Sequence, residues 1–435
     1  MAEWKPINDL FDFEKGTLQS SKCRAGEFTF VTAAEEWKTH ESYTHDCEAL
    51  IFAMAASGSL GRTHYINGKF IASDLCFILT PRKGLKLDMM FYYRLFNFLR
   101  SDIVKKTSTG TSKLAINQTN FGAYQLPYFD YEHQLVFRDK IERISEISQG
   151  FDAGLNDQLT LLKQLRQSIL QEAVEGRLTA DWRKKNTDLI TGNNHASELL
   201  ETIKAEKERL IDEGKIRKEK PITDISEKEE LFALPEGWVW CRVGNLGTIE
   251  RGVSPEYGSI SEYKILNQKC VRWGHIITDW AKPVLSDWWK RLNKSCLTAT
   301  DDILVNSTGE GTIGRSGLIT SESEGLPFDT HVLRIRLLCK IAPKFIVFFI
   351  NSRYGQDQVI ELKGAKTTKQ TELGVVNLCS FVFPLPPIGE QSAIVERVEN
   401  IMAMIDGIEE QVSERKGQSE SLMRSVLSEA FTVGV

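Results

Sequence analysis

The chain has 435 residues, 41% of them apolar and 26% charged, which is the balance of a soluble globular protein with room for two or three cored domains. No apolar run reaches membrane-span length, the opening Met-Ala-Glu-Trp-Lys-Pro is not a secretory signal, and eight cysteines are scattered singly. The expectation is a cytoplasmic protein with no membrane partner, disulfide framework or zinc site.

Residues 1–130 read as a mixed globule, with short β-branched and aromatic runs at Phe28 to Thr32, Ala49 to Met54 and Leu75 to Leu79 punctuated by Gly, Ser and Asn. A helical aromatic segment, Met89 to Leu99, and a polar loop, Lys105 to Lys113, complete it. Residues 131–176 carry a ladder on alternating steps of three and four (Ile141, Ile144, Ser148, Phe151, Leu155, Gln158, Leu162, Leu165, Ile169), apolar except at Ser148 and Gln158, which predicts a long helix with one apolar seam. Residues 177–235 form a charged connector with one short helix over Ala196 to Ile211, followed by an ill-ordered stretch that ends before Leu234. A second globule over 236–388 repeats the order of the first. Its strands fall at Ile303 to Val305 and Val332 to Leu337, its helix at Ala342 to Ile350 and its polar loop at Lys363 to Gln370. A second long helix over 389–431 carries its own seam (Val398, Ile401, Ile405, Ile408, Val412, Leu422, Val426).

The two halves correspond residue by residue. Trp4, Leu10, Glu14 and Gly16 line up with Trp240, Leu246, Glu250 and Gly252; Gly58 to Arg62 matches Gly311 to Arg315; Pro127 and Gln134 match Pro384 and Gln391. From Pro127 onward the register continues without a gap to Glu172-Ala173 and Glu429-Ala430. The expected fold class is therefore α+β, with two mixed α/β globules, two long helices and a pseudo-twofold internal repeat. At about 1.5 Å per residue, some 40 residues make a rod of about 60 Å, and pairing the two rods within one molecule covers both seams. Antiparallel packing would hold the globules apart, and parallel packing would bring them together.

The net charge of -5 does not by itself suggest a nucleic-acid partner. Its distribution says more: residues 1–130 carry 15 Lys and Arg against 14 Asp and Glu, and residues 236–388 carry 18 against 15. The globules are neutral to slightly basic, and the helices and connector hold the acidic excess.

Motifs for catalysis are missing. There is no phosphate loop, no dinucleotide fingerprint and no Asn/Asp-Pro-Pro-aromatic motif for methyl transfer, and the seven histidines show no metal spacing. His331 reads as a structural histidine. Ser307 to Arg315 leads into strand-like Gly317-Leu318-Ile319, so its glycines fit a tight hairpin with positive φ better than a phosphate cradle at a helix N-terminus. Recognition is better sought in the polar loops, where lysines neutralise phosphates and small hydroxyls and amides reach base edges. The candidates are Lys105, Lys106, Thr109 and Lys113 in the first globule and Lys363, Lys366, Thr367, Lys369 and Gln370 in the second. Arg62 and Arg315 occupy the same turn in both halves. Asn267, Gln268, Lys269 and Arg272 add a cluster with no counterpart in the first globule, which would fit two globules that read different sequences.

Four motifs together resemble the specificity subunit of Type I restriction-modification enzymes over essentially the whole chain. They are Leu234-Pro235-Glu236-Gly237-Trp238 opening a globule, the Gly311 to Arg315 turn, Pro384 to Gln391 leading into a heptad helix, and Ser168 to Ala173 closing its twin. The resemblance implies two target-recognition domains, each reading half of a bipartite double-stranded DNA site, separated by two helices packed antiparallel. It further implies no catalysis and no cofactor on this chain. S-adenosylmethionine would sit on two modification subunits, and ATP with Mg on the restriction subunits that join them. The sequence departs from the pattern in the first half, which lacks the Leu-Pro-Glu-Gly lead before Trp4 and reduces the proline-rich helix start to Leu126 to Gln134. A scaffold or adaptor whose globules bind protein rather than DNA is the alternative from another class.

Overall fold

A computed structural model describes residues 3–56, 58–110, 114–218, 221–365 and 371–432. The chain divides into two compact units, Met1–Asp157 with Val412–Val435, and Gln158–Gln411.

In the first unit, β1 (Glu3–Pro6) passes through one helical turn, α1 (Ile7–Leu10), into β2 (Phe11–Lys15). Five more strands follow: β3 (Phe28–Val31), β4 (Lys38–His40), β5 (His45–Ala53), β6 (Thr63–Ala72) and β7 (Cys76–Pro81). With β2 they make a six-stranded sheet in the order β2-β7-β5-β6-β3-β4. Neighbours are antiparallel except β3 and β6. Strand β5 lies inside this sheet and is covered on both faces. Leu50 and Phe52 join one core, and Ala49, Ile51 and Ala53 join the other with Phe70 and Cys76. Its sequence is therefore an unbroken apolar run rather than an alternating one.

Helix α2 (Met89–Phe98) lays Phe91, Tyr92, Leu95 and Phe96 into the first of these cores, and the Asp88 side chain caps it by accepting from the Phe91 N–H. Helix α3 (Arg100–Thr107), the hairpin of β8 (Ser108–Thr109) and β9 (Ala115–Ile116), and α4 (Gln118–Ala123) come next. From α4, Phe121 packs its ring 4.5 Å from Phe52 and 5.5 Å from Phe77. Strand β10 (Gln125–Tyr128) then returns antiparallel to β1, with Pro127 opposite Trp4. The long helix α5 (Tyr131–Val174) starts immediately after it.

The second unit begins within α5 and continues through α6 (Ala180–Lys185) and α7 (Ala196–Asp212), the latter one residue longer than expected. Strand β11 (Val239–Arg242), the turn α8 (Val243–Leu246) and β12 (Gly247–Arg251) then repeat the strand-turn-strand order of the first unit. The next elements are β13 (Lys264–Ile265), β14 (Gly274–His275), β15 (Lys282–Pro283) and α9 (Ser286–Arg291). Then come β16 (Ile303–Asn306), β17 (Ser316–Leu318) and β18 (Val332–Leu337). The sheet runs β12-β18-β16-β17-β14, antiparallel except at β14 and β17. Helix α10 (Pro343–Asn351) buries Phe345, Ile346, Phe349 and Ile350 against it. The chain closes through α11 (Arg353–Leu362), the hairpin of β19 (Gly364–Ala365) and β20 (Thr371–Glu372), α12 (Val375–Cys379) and β21 (Val382–Leu385). Strand β21 pairs antiparallel with β11, with Pro384 opposite Trp240, and α13 (Ile388–Thr432) follows.

Each long helix is latched to its own unit by a completely buried glutamine in its first turn. In the first unit Gln134 accepts from the Asp88 N–H at 2.7 Å and donates to the Phe129 carbonyl at 2.6 Å. In the second, Gln391 accepts from the Ala342 N–H at 2.8 Å and donates to the Pro386 carbonyl at 2.9 Å. Both satisfy the free N–H groups at the start of a core helix and the carbonyl that precedes the long one.

Two expectations change. The stretch before Leu234, expected to be ill-ordered, is tied down where it is described, because the buried Arg242 guanidinium donates to the Thr223 and Asp224 carbonyls and to Glu229. A buried cation needs acceptors, and this segment supplies them. The seams of the long helices are also less completely covered than heptad spacing suggests. Ile141, Leu155 and Val412 are buried in the first unit, and Leu162, Val398 and Ile405 in the second. Ile144, Ile169, Ile401 and Val426 are half-buried. Phe151, Leu165, Ile408 and Leu422 stay exposed, because two helices cover only the narrow stripe where they meet. In the first unit Ile144 to Phe151 and Arg415 to Val426 line one groove, and in the second the paired segments run antiparallel. In the second, Arg166 pairs with Asp406 and Glu409, and Arg397 with Asp181. None of the described helices is long and apolar enough to cross a membrane.

Candidate nucleic-acid interface

In both units a glycine turn that carries an arginine sits beside a polar hairpin. In the second unit the turn joins β16 to β17, and Gly309, Gly311 and Gly314 all hold positive φ, as a tight reversal requires. Gly314 also abuts α11, since a Cβ there would stand 2.5 Å from Val359. The β19–β20 hairpin is fastened to the same turn by a bridge between Thr308 and Glu372 and by the Leu373 N–H donating to the Ser307 carbonyl at 2.8 Å. In the first unit Gly58 and Gly61 hold positive φ, and a Cβ on Gly61 would meet Val104 of α3 at 2.5 Å. There the β8–β9 hairpin is fastened to the end of β5 by an Ala55–Ala115 bridge and the Ile116 N–H to Met54 carbonyl bond of 2.8 Å.

In the second unit the polar residues around the turn are organised. The Arg315 guanidinium lies over Trp273 at 5.4 Å, and that of Arg272 over Trp280 at 5.8 Å. Both indoles are about half exposed, 50% and 51%. Arg315 also donates to the Gly311 carbonyl at 3.3 Å. Burial first, and then the positive charge of Arg272, pull the Arg315 guanidinium below its ordinary value. The Gln268 amide lies over the turn, donating to Thr308 and accepting from Thr312, both at 3.4 Å. His331 bonds Thr308 at 2.9 Å and is exposed. Asn306 Oδ1 and Ser307 Oγ, buried at the root of the turn, have no hydrogen-bond partner among the described residues. Arg251 pairs with Glu372 of the hairpin and donates to the Thr330 carbonyl at 3.0 Å.

The remaining sequence candidates fall into place as follows. Asn267 is buried and spends its amide internally, donating to the Trp280 carbonyl at 2.7 Å and accepting from the Lys269 N–H at 2.8 Å. It shapes the turn that presents Gln268 and Lys269. Lys269 is exposed. Lys363 terminates α11, and Lys366, Thr367, Lys369 and Gln370 lie outside the described residues. In the first unit Lys105 and Lys106 stand on the last turn of α3 rather than on a loop, because the helix continues to Thr107, whose hydroxyl donates back to the Ile103 carbonyl at 2.7 Å. Both lysines are exposed, and Lys106 pairs with Asp102 at 2.9 Å. Thr109 is exposed on β8, and Lys113 lies outside the described residues. Arg62 faces Glu35 at 3.8 Å, and Arg100 donates to the Leu60 and Gly58 carbonyls at 2.8 and 3.1 Å, bracing the turn.

Sequence reasoning missed Trp280, Thr308, Thr312 and Arg100. An indole in the polar stretch Thr278-Asp279-Trp280 was the available signal, since apolar bulk outside any strand or helix pattern is informative. The two threonines gain meaning only when the turn folds back on Gln268.

Comparisons with known proteins follow the same line. Residues 1–161 match the family model described as Type I restriction modification DNA specificity domain. The EcoEI specificity subunit of Escherichia coli is 27% identical over 304 residues, 67% of this chain and 48% of that protein. The EcoDI specificity subunit of Escherichia coli is 24% identical over 443 residues, 99% of this chain and 88% of that protein. Against the EcoEI and EcoAI subunits the match spans about half the length of the relative, 48% and 43%. A solved chain described under complex assembly and conformational transition of the type I R-M system superposes with a TM-score of 0.64 at 13% identity, covering 99% of this chain and 97% of that one.

Proposed function

We propose that this chain, a member of the Type I restriction-modification DNA specificity family, is a non-catalytic recognition subunit that reads a bipartite double-stranded DNA site. The observation that carries the reading is the arginine turn beside a polar hairpin, present in both units on similarly ordered elements. The matched pairs of the sequence support it. Trp4 faces Pro127 across β1 and β10, and Trp240 faces Pro384 across β11 and β21. Residues 1–130 and 236–388 act as target-recognition domains, 131–176 and 389–431 as spacer helices and 177–235 as a connector, which makes the chain a pseudo-twofold repeat.

Phosphate contacts come from Arg62, Lys105 and Lys106 in the first domain, and from Lys269, Arg272, Arg315, Lys363, Lys366 and Lys369 in the second. Gln268 has the amide geometry to meet an adenine edge in the major groove. Two modification subunits dock on the spacer helices, where Ile147, Phe151 and Leu422 leave an apolar groove in the first unit. S-adenosylmethionine belongs to those subunits, and ATP with Mg to the restriction subunits that join them; this chain holds neither.

The test is selection of bound sequences from a random duplex library by the chain assembled with its modification subunits. Two short defined half-sites separated by a spacer of indifferent sequence are expected. A recovered pool with no sequence preference refutes the reading and leaves a protein-binding scaffold in its place.

A further inference from the structure

We propose that Arg272 and Arg315 form a seat for one DNA backbone phosphate, held open in the free protein by Trp273 and Trp280. The inference rests on the DNA-reading role above and assigns this cluster to positioning rather than to base reading.

Among the described residues neither guanidinium has a carboxylate partner, although both are half-buried and Arg315 lies over Trp273, the residue next to Arg272 in the chain. Two like charges converging without a counter-ion are an unfavourable arrangement in the free chain, and an anion between them relieves it. In the first unit the arginine of the matching turn, Arg62, has the Glu35 carboxylate 3.8 Å away, whereas Arg315 has no such carboxylate among the described residues.

A guanidinium stacked on an indole gives up little hydration and keeps its N–H edge directed outward in the plane, the edge that forks onto a phosphate. The Arg315 and Arg272 guanidiniums lie 5.4 and 5.8 Å from the Trp273 and Trp280 ring centroids, and both indoles are half exposed, which places the seat at the surface; Arg315 Nε is buried, so its terminal N–H groups are the ones left for an anion. Glu310, at the tip of the same turn, is exposed and forms no ion pair among the described residues. A phosphodiester is the anion that fits because the seat adjoins Gln268, whose amide would then face the neighbouring base edge.

The experiment measures binding of the assembled complex to its selected site and to a scrambled duplex across a salt series, for the wild type, for the Arg272→Ala/Arg315→Ala double variant and for the Arg272→Lys/Arg315→Lys double variant. Circular dichroism and the unfolding midpoint check that the variants fold. The alanine pair is expected to weaken both duplexes by the same factor and to reduce the slope of log K against log salt by about one, the value for one phosphate. The lysine pair should keep the slope and still bind more weakly, because an ammonium does not stack flat on an indole. An unchanged slope in the alanine pair overturns the seat, and so does a loss confined to the selected site, which would make the arginines base readers. If the wild type itself does not distinguish the two duplexes, sequence reading fails separately, and the slope on scrambled DNA still decides the seat.

Discussion

Glu390 is completely buried in the second unit and receives the Thr179 hydroxyl at 2.6 Å, the Trp238 indole N–H at 2.8 Å and the Arg183 guanidinium. It sits in the first turn of α13, where the helix dipole also favours a negative charge. Trp238 belongs to the Leu-Pro-Glu-Gly-Trp motif and Glu390 to the proline-rich helix start, so two of the segments that carry the family resemblance meet in one hydrogen bond. They hold the helix to its globule. Glu390→Ala, which strands Arg183 and the indole N–H, is expected to destabilise the second unit by about 3–5 kcal/mol in urea unfolding followed by tryptophan fluorescence. Trp238→Phe removes only one donor and should cost about 1–3 kcal/mol in the same assay. Gln391→Ala and Gln134→Ala each leave a helix-starting N–H buried without an acceptor and should cost a similar amount. No change in unfolding midpoint for either glutamine variant would mean that the latch is replaced by water.

At the scale of elements, the long helices bury part of their apolar seam and leave part exposed. In the first unit Phe151 and Leu422 are 47% and 65% exposed and line one groove with Ile144, Ile147 and Val426. Phe151→Asp is expected to leave the fold intact, since the side chain already faces water, and to weaken assembly with the modification subunit at least tenfold by titration in solution. Undiminished assembly would move the docking surface elsewhere. Most elements were legible from periodicity. β18 spans the predicted Val332–Leu337, and α2 and α10 lie within a residue of their predicted limits. Lys105 and Lys106 were read as loop because two lysines next to Thr-Ser-Thr-Gly look like a linker, yet α3 carries Ile103 and Thr107 into the core and extends the helix. The short strands β13, β14 and β15 were not legible, because two-residue strands take their structure from tertiary contact rather than from local pattern.

For the molecule as a whole, the correspondence between the halves was visible in the sequence because helix starts, strand ends and turns need particular residues: Pro opposite Trp, Gln at the latch and Gly at positive φ. The contact residues were only partly visible. Asn267, one of the DNA-binding candidates in the sequence, is buried with its amide bonded to the Trp280 carbonyl, and the placing of Arg272 and Arg315 over separate tryptophans depends on chain folding that no spacing announces. The central claim, that each globule reads its own half of one DNA site, is tested most directly by replacing residues 1–130 with the corresponding globule of a relative and repeating the library selection. The account predicts that one half-site changes to the relative's sequence while the other half-site is retained. Both half-sites changing together, or neither changing, would contradict it.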